Sequence, residues 1–120
     1  MIRVKQLYDA KLKTFGATSS QERFIEVFMD SLRKVLSDLS LRCHIDSISV
    51  ESLNDELSLS QDFYTAISEG LDLYIQDANE YSVKDKRDVQ GRYDRSMRWL
   101  QAEYFMDSDN EVYAKLGDLS

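Results

Sequence analysis

Apolar residues recur at helical spacing in four separate stretches of this chain. Val4, Leu7, Tyr8, Leu12 and Phe15 share one face, which predicts a first short helix over residues 4–15. Gly16 follows and suits the left-handed position that closes a helix. Ser19 and Glu22 stand at capping-box spacing and open a second helix. Its stripe of Phe24, Val27, Phe28, Leu32, Val35, Leu36 and Leu39 is the strongest amphipathic pattern in the chain. Residues 41–59 then break the period. Ile45, Ser47, Ile48 and Val50 are β-branched or small, Leu53, Leu57 and Leu59 follow, and Asn54-Asp55 reads as a turn. A short extended stretch, or two short strands in a hairpin, is expected there.

Ser60 is the expected N-cap of a third helix, and Asp62 complements the positive end of its dipole. Phe63, Ile67, Gly70, Leu71, Tyr74, Ile75 and Ala78 line one face of it, and the pattern runs to Tyr81. Gly70 inside a helix costs roughly 1 kcal/mol relative to alanine. Such a glycine marks close approach by another backbone, from within the fold or from a neighbouring subunit. The fourth stretch runs from Val83 to Tyr104, with Val89, Tyr93, Met97, Leu100 and Tyr104 on its apolar face and Ser82 and Asp85 at capping-box spacing. The third and fourth helices are either continuous or bent near Ser82. The pattern thus predicts a mainly α fold: about four helices in a small bundle, a short extended or β-hairpin segment between helices two and three, and a flexible C-terminal tail. Residues 1–104 form the single helical domain and residues 105–120 the acidic tail, in which Val112, Tyr113 and Leu116 are isolated apolar points.

Composition supports that reading. At 120 residues, 42% hydrophobic and 31% charged, the chain is one globular domain's worth, and the absence of proline lets helices run long. The net charge of -7 disfavours unaided DNA binding by the whole chain. The charge is uneven, however. Residues 83–98 hold six basic residues (Lys84, Lys86, Arg87, Arg92, Arg95, Arg98) against Asp85, Asp88 and Asp94, a net of +3. Residues 103–120 hold five acidic residues (Glu103, Asp107, Asp109, Glu111, Asp118) against Lys115, a net of -4. A bipolar subunit of this kind can meet its neighbours through opposite charges. The single cysteine, Cys43, excludes an intrachain disulfide and fits a reducing compartment. The N-terminal MIRVKQLYDAK has no stretch apolar enough for a signal peptide, and there is no run of about 18 apolar residues to span a membrane. A soluble protein made in the cytoplasm, with no membrane partner, is expected.

Residue chemistry points to no reaction. Cys43 and His44 are neighbours, and on an extended segment neighbours point to opposite faces, so a half-buried thiol beside an exposed imidazole is the expectation. Asp72, Asp77 and Glu80 fall near one side of the third helix and read as a solvated face. Asp107, Asp109 and Glu111 lack the glycine and terminal glutamate of a calcium loop, and Gly91 and Gly117 belong to no phosphate-binding motif. No catalytic, metal or cofactor residue is assigned. Arg87, Arg95 and Arg98 share a helical face that Lys84 extends. This stripe is solvated or paired with a neighbouring subunit, or it touches DNA phosphates without reading sequence, with Lys84, Arg87 and Arg95 as the contacts. Trp99 lies off the apolar stripe, where it is an interface anchor or packs against the tail. The expected partner contacts are Arg87, Arg95, Arg98, Trp99, Tyr104 and Tyr113.

The order of elements resembles the head-to-tail connector (adaptor, or head-completion) proteins of tailed bacteriophages. KQLYDAKLKTFGATSSQERFIEVFMDSLRKVLSDLS looks like their opening, and Tyr64, Ala66, Ile67, Gly70 and Leu71 look like their helix after a short extended segment. The likeness covers most of residues 4–104 and lies in spacing rather than in a signature motif. It implies a non-enzymatic virion protein, made in the host cytoplasm. Such a subunit closes into a ring, commonly a dodecamer, under the portal protein. The ring extends the channel for genomic DNA and gives the tail protein a platform. The net acidity departs from a simple DNA-binding ring. Two other readings stand beside it: a small regulatory protein that dimerises through the stripe of helix two, and a sequence-independent DNA-binding accessory protein. With no reaction site read anywhere in the chain, the third helix with Gly70 is expected to be the central core helix.

Overall fold

The computed structural model of the chain describes residues 1–16, 22–79 and 86–105, and within them the side chains of residues 1–16, 22–77 and 87–103. A two-residue strand, β1 (Ile2–Arg3), turns directly into α1 (Val4–Phe15). Gly16 closes α1 at φ 65°, in the left-handed region, and its N–H returns to the carbonyls of Leu12 and Lys13. The remaining elements are α2 (Glu22–Cys43), β2 (Glu56–Leu57), α3 (Tyr64–Asn79) and α4 (Lys86–Leu100). A 3-10 turn at Gln61–Phe63 leads into α3, and a π-helical turn at Gln101–Phe105 continues α4. The fold is therefore the expected mainly α bundle. Ser19, Ser82, Lys84, Tyr113 and the tail from residue 106 lie outside the described residues.

Two local readings change. The second helix does not stop at residue 41. It continues through Cys43, because Cys43 stands one turn beyond Leu39 on the buried stripe, and both side chains are buried. In the segment that follows, the extended alternative forms rather than a hairpin. Its strand β2 pairs antiparallel with the N-terminal β1, Ile2 opposite Leu57 and Arg3 opposite Glu56. This register sends Ile2 and Leu57 into the core and leaves the Arg3 and Glu56 side chains outside, 3.8 Å apart. The predicted turn at Asn54-Asp55 is present. Asp55 stabilises it by accepting the backbone N–H groups of Glu51 (2.7 Å) and Ser52 (3.1 Å), which hold its carboxyl below the usual aspartate range. The extended chain is fastened to α2 by Arg33 Nε donating to the Val50 carbonyl at 3.3 Å and Ser40 Oγ donating to the Ile45 carbonyl at 2.9 Å.

α3 is the hub. It packs most extensively against α2 and α4 and also touches α1. Because α3 and α4 lie side by side, they are two helices rather than one continuous rod. Gly70 makes this packing possible from within the chain, and what approaches it is two side chains rather than the expected backbone: a Cβ there would sit 2.6 Å from Val35 Cγ2 and 2.7 Å from Tyr93 Cε1. Phe24, Phe28, Leu32, Val35 and Leu39 of α2 are buried against this hub. The stripe that would have served a dimer through the second helix is thus buried in the chain's own core. Tyr8 stacks edge-on against Phe28 with ring centres 5.1 Å apart, which joins α1 to the same core.

Candidate interaction surface

One ionic pair is buried in the bundle, and a second, half-buried carboxylate sits among three of its helices. Lys11 occupies a position on the buried face of α1, one turn after Leu7, yet it is only 4% exposed. Its ammonium donates to Asp72 Oδ1 at 2.7 Å and to Ser68 Oγ at 2.8 Å, both on α3. Asp72 is 6% exposed, so the solvated reading of this residue is overturned, while Asp77 is exposed as expected. The reason is geometric. Residue 72 sits at the edge of the α3 stripe beside Leu71 and Ile75, where α1 crosses over it, and only a cation from α1 can compensate its desolvation. A lysine beside a serine suggests a nucleophile and its base. Here Lys11 Nζ is the donor to both Ser68 Oγ and the Asp72 carboxylate, the geometry of a buried ion pair that fastens α1 to α3.

The second group ties three helices together. Asp38 of α2 accepts hydrogen bonds from the hydroxyls of Tyr74 on α3 and Tyr93 on α4, the latter at 2.7 Å. The two rings meet edge to face, their centres 6.1 Å apart, and Lys34 lies 5.8 Å above the Tyr74 ring. Burial, reinforced by donation to the Asp38 carboxylate, pushes the Tyr74 hydroxyl up to about 12 and the Tyr93 hydroxyl further upward. Nearby, Arg42 and Asp94 join α2 to α4 at 3.7 Å, and Gln101 donates to the Arg42 carbonyl at 3.0 Å, covering a free carbonyl of the last turn of α2. These contacts fix α4 on the bundle.

The outer side of α4 carries what remains. Arg87, Arg92, Arg95 and Arg98 are exposed, and Trp99 is 51% exposed. Arg95 and Trp99 stand one turn apart and share a face. Of the residues singled out from sequence, Arg87, Arg95 and Arg98 lie exposed on α4, and Tyr104 lies in the π-helical turn beyond it. Arg92 was not singled out from sequence. It lines a groove of about 360 Å³ between α1, α3 and α4 together with Thr14, Tyr64, Thr65, Ser68 and Glu69, and the Lys11–Asp72 pair. A second groove of about 370 Å³ begins at the same Thr65 and runs past Ala66 to Trp99, walled by Gln61 and Asp62 on one side and Ser96 and Leu100 on the other. The two grooves share Thr65 in their linings, with Arg92 in the first and Trp99 in the second. Helical spacing alone could have flagged Arg92, since Arg92, Arg95, Ser96 and Trp99 follow i, i+3, i+4 and i+7.

Cys43 and His44 form no site. Cys43 is buried rather than half-buried, and burial pushes its thiol upward, away from the thiolate. His44 is exposed, with φ at 56°, just past the helix end. Among the described residues no group of three His, Cys, Asp or Glu side chains is placed to hold a metal ion, and no helix is long and apolar enough to cross a membrane. No family model, curated protein or solved structure matches the chain.

Proposed function

We propose that this chain is an assembly subunit, a head-to-tail connector protein of a tailed bacteriophage. It is made in the host cytoplasm and incorporated into the virion. The subunit closes with copies of itself into a ring, a dodecamer in the form the resemblance implies, that docks on a portal protein, receives the tail and lets genomic DNA pass. The observation that carries this reading is the half-exposed Trp99 one turn after the exposed Arg95, with Arg98 beside it in the chain, on a helix packed against α2 and α3. An aromatic flanked by arginines on a rigid element is the usual composition of a protein–protein anchor. The likeness in element order adds the specific class. The buried Lys11–Asp72 pair and the half-buried Asp38 cluster support a stiff building block, because both are used in fastening helices to one another.

Native mass spectrometry of the chain co-expressed with the portal protein encoded in the same genome tests the reading. A closed multimer bound to portal is expected. A protein that stays monomeric and never associates with portal, or a genome that encodes no portal, overturns it. The exposed arginines also favour a second reading, sequence-independent binding of nucleic acid. It predicts DNA affinity that falls steeply with salt and is lost in Arg95→Glu.

A further inference from the structure

A third groove, of about 680 Å³, opens where the segment after α2 faces the chain that leads from β2 into the 3-10 turn. Ile45, Ile48, Leu59 and Phe63 make it apolar, Asp46 and Glu56 are its charged residues, serines complete the lining, and no basic side chain lines it. Asp46 is exposed and makes no hydrogen bond or ion pair with another described residue. Glu56 meets Arg3 only at 3.8 Å, between side chains open to water. Among the described residues three large apolar side chains are exposed, Met1, Leu41 and Trp99. Near Met1, Arg3 is engaged with Glu56, and beside Leu41, Arg42 is engaged with Asp94. Of the three, only Trp99 has unpaired guanidinium groups next to it. Arg95, one turn before, and Arg98, adjacent in the chain, are exposed and make no hydrogen bond or ion pair with another described residue. They outnumber Glu103 one turn beyond, and Asp62 of the neighbouring groove is itself partnered. Trp99 lines that other groove, so it does not fill the Ile45–Phe63 groove of its own chain. The chain thus holds both halves of a contact that two copies can join. We infer that Trp99 of one copy enters the groove between residues 45–49 and 56–60 of another, with Arg95 and Arg98 against Asp46 and Glu56.

The chemistry of the two surfaces matches. A tryptophan buries about 150–250 Å² when it is covered, which makes it the natural anchor for an apolar groove of this size. Its indole N–H donates, and the serine hydroxyls of the lining accept. Exposed charge pairs are individually weak, so the arginines and carboxylates set the register and the buried ring supplies most of the affinity. Anchor and groove are different surfaces, so the contact passes from copy to copy and gives a ring where the rotation closes. This inference rests on the assembly reading and names the interface through which the copies meet.

Trp99 is the only tryptophan, so its fluorescence reports on this contact. As the concentration of the full chain rises, its emission should move to shorter wavelength while sedimentation velocity shows association. Two full-length variants, Arg95→Glu/Arg98→Glu and Asp46→Lys/Glu56→Lys, are each checked for folding by circular dichroism. Each alone should associate at least about tenfold more weakly, because like charges then meet. Mixing the two should restore association, since each variant's anchor is opposite in charge to the other's groove; a variant that had merely lost its fold could not be rescued in this way. Trp99→Ala should weaken association by at least about tenfold as well. A native chain that stays monomeric with unmoved emission overturns the contact, and so does a mixture that associates no better than its components. Association that obeys the charge exchange but stops at a dimer keeps the contact and overturns the ring. A ring formed on portal that ignores the exchange overturns the contact and leaves the connector reading standing.

Discussion

Two glycines on neighbouring helices should answer the same substitution with opposite signs. Alanine in place of glycine inside a helix gains about 1 kcal/mol from backbone entropy and solvation. At Gly91 nothing opposes that gain: the nearest atom to a new Cβ is Arg95 Nη1 at 3.8 Å, the far end of a flexible side chain. Gly91→Ala should therefore stabilise the protein by about 0.5–1 kcal/mol. At Gly70 the new methyl meets Val35 Cγ2 at 2.6 Å and Tyr93 Cε1 at 2.7 Å, inside any allowed carbon–carbon separation. Neither neighbour can yield freely. Val35 is fully buried, and Tyr93 is held at its hydroxyl by Asp38 at 2.7 Å. Overpacking of this kind costs about 1–3 kcal/mol. If Tyr93 is pushed off Asp38, a hydrogen bond to a charged group worth about 1.5–3 kcal/mol is weakened as well. The cost exceeds the propensity gain, and Gly70→Ala should lose roughly 2 kcal/mol net. Urea denaturation followed by circular dichroism measures both variants, provided the slope with denaturant stays constant. A Gly70→Ala protein as stable as the parent would refute the close approach of α3 to α2 and α4, and with it the role assigned to this glycine.

Three further outcomes follow from the buried groups. Lys11→Met should cost about 3–5 kcal/mol by stranding the Asp72 carboxylate, and Lys11→Met/Asp72→Leu should recover most of that loss in the same urea assay; a double variant as unstable as the single would contradict the pairing. Raised tyrosine pKa values mean that the unfolded chain ionises first, near the ordinary value of 10.0, while Tyr74 stays protonated in the fold to about 12, so stability present below pH 10 should fall as pH rises across that window. Unfolding and tyrosinate absorbance should then rise together, and a folded protein with ionised Tyr74 and Tyr93 would count against the Asp38 cluster. Cys43, buried at the end of α2, should resist a thiol reagent in the native protein and react promptly in denaturant; rapid native labelling would show that the last turn of α2 opens.

What the sequence determined by itself is whatever depends on neighbours three or four residues apart. The limits of α1, the Gly16 closure, the stripe of α2 and the core face of α3 were all legible because helix periodicity and capping are local. Gly70 could be recognised as a packing point, and Trp99 as lying off the core stripe, for the same reason. Tertiary structure decided the rest. The strand partner of Leu57 is Ile2, far away in the chain, and no local pattern names it. Lys11 and Asp72 read separately as ordinary surface charges, and only the crossing of α1 over α3 makes each the condition for burying the other. Asp38 likewise gains its meaning when Tyr74 and Tyr93 arrive from two other helices. Charge burial and hydrogen-bond satisfaction are properties of three-dimensional neighbours, so a sequence displays the groups but not their pairing. The two grooves lined by Arg92 and by Trp99 follow the same rule: these residues lie at helical spacing on α4, but the opposite walls come from α1 and α3 in the first and from the 3-10 turn and α3 in the second, and exist only once the bundle has formed.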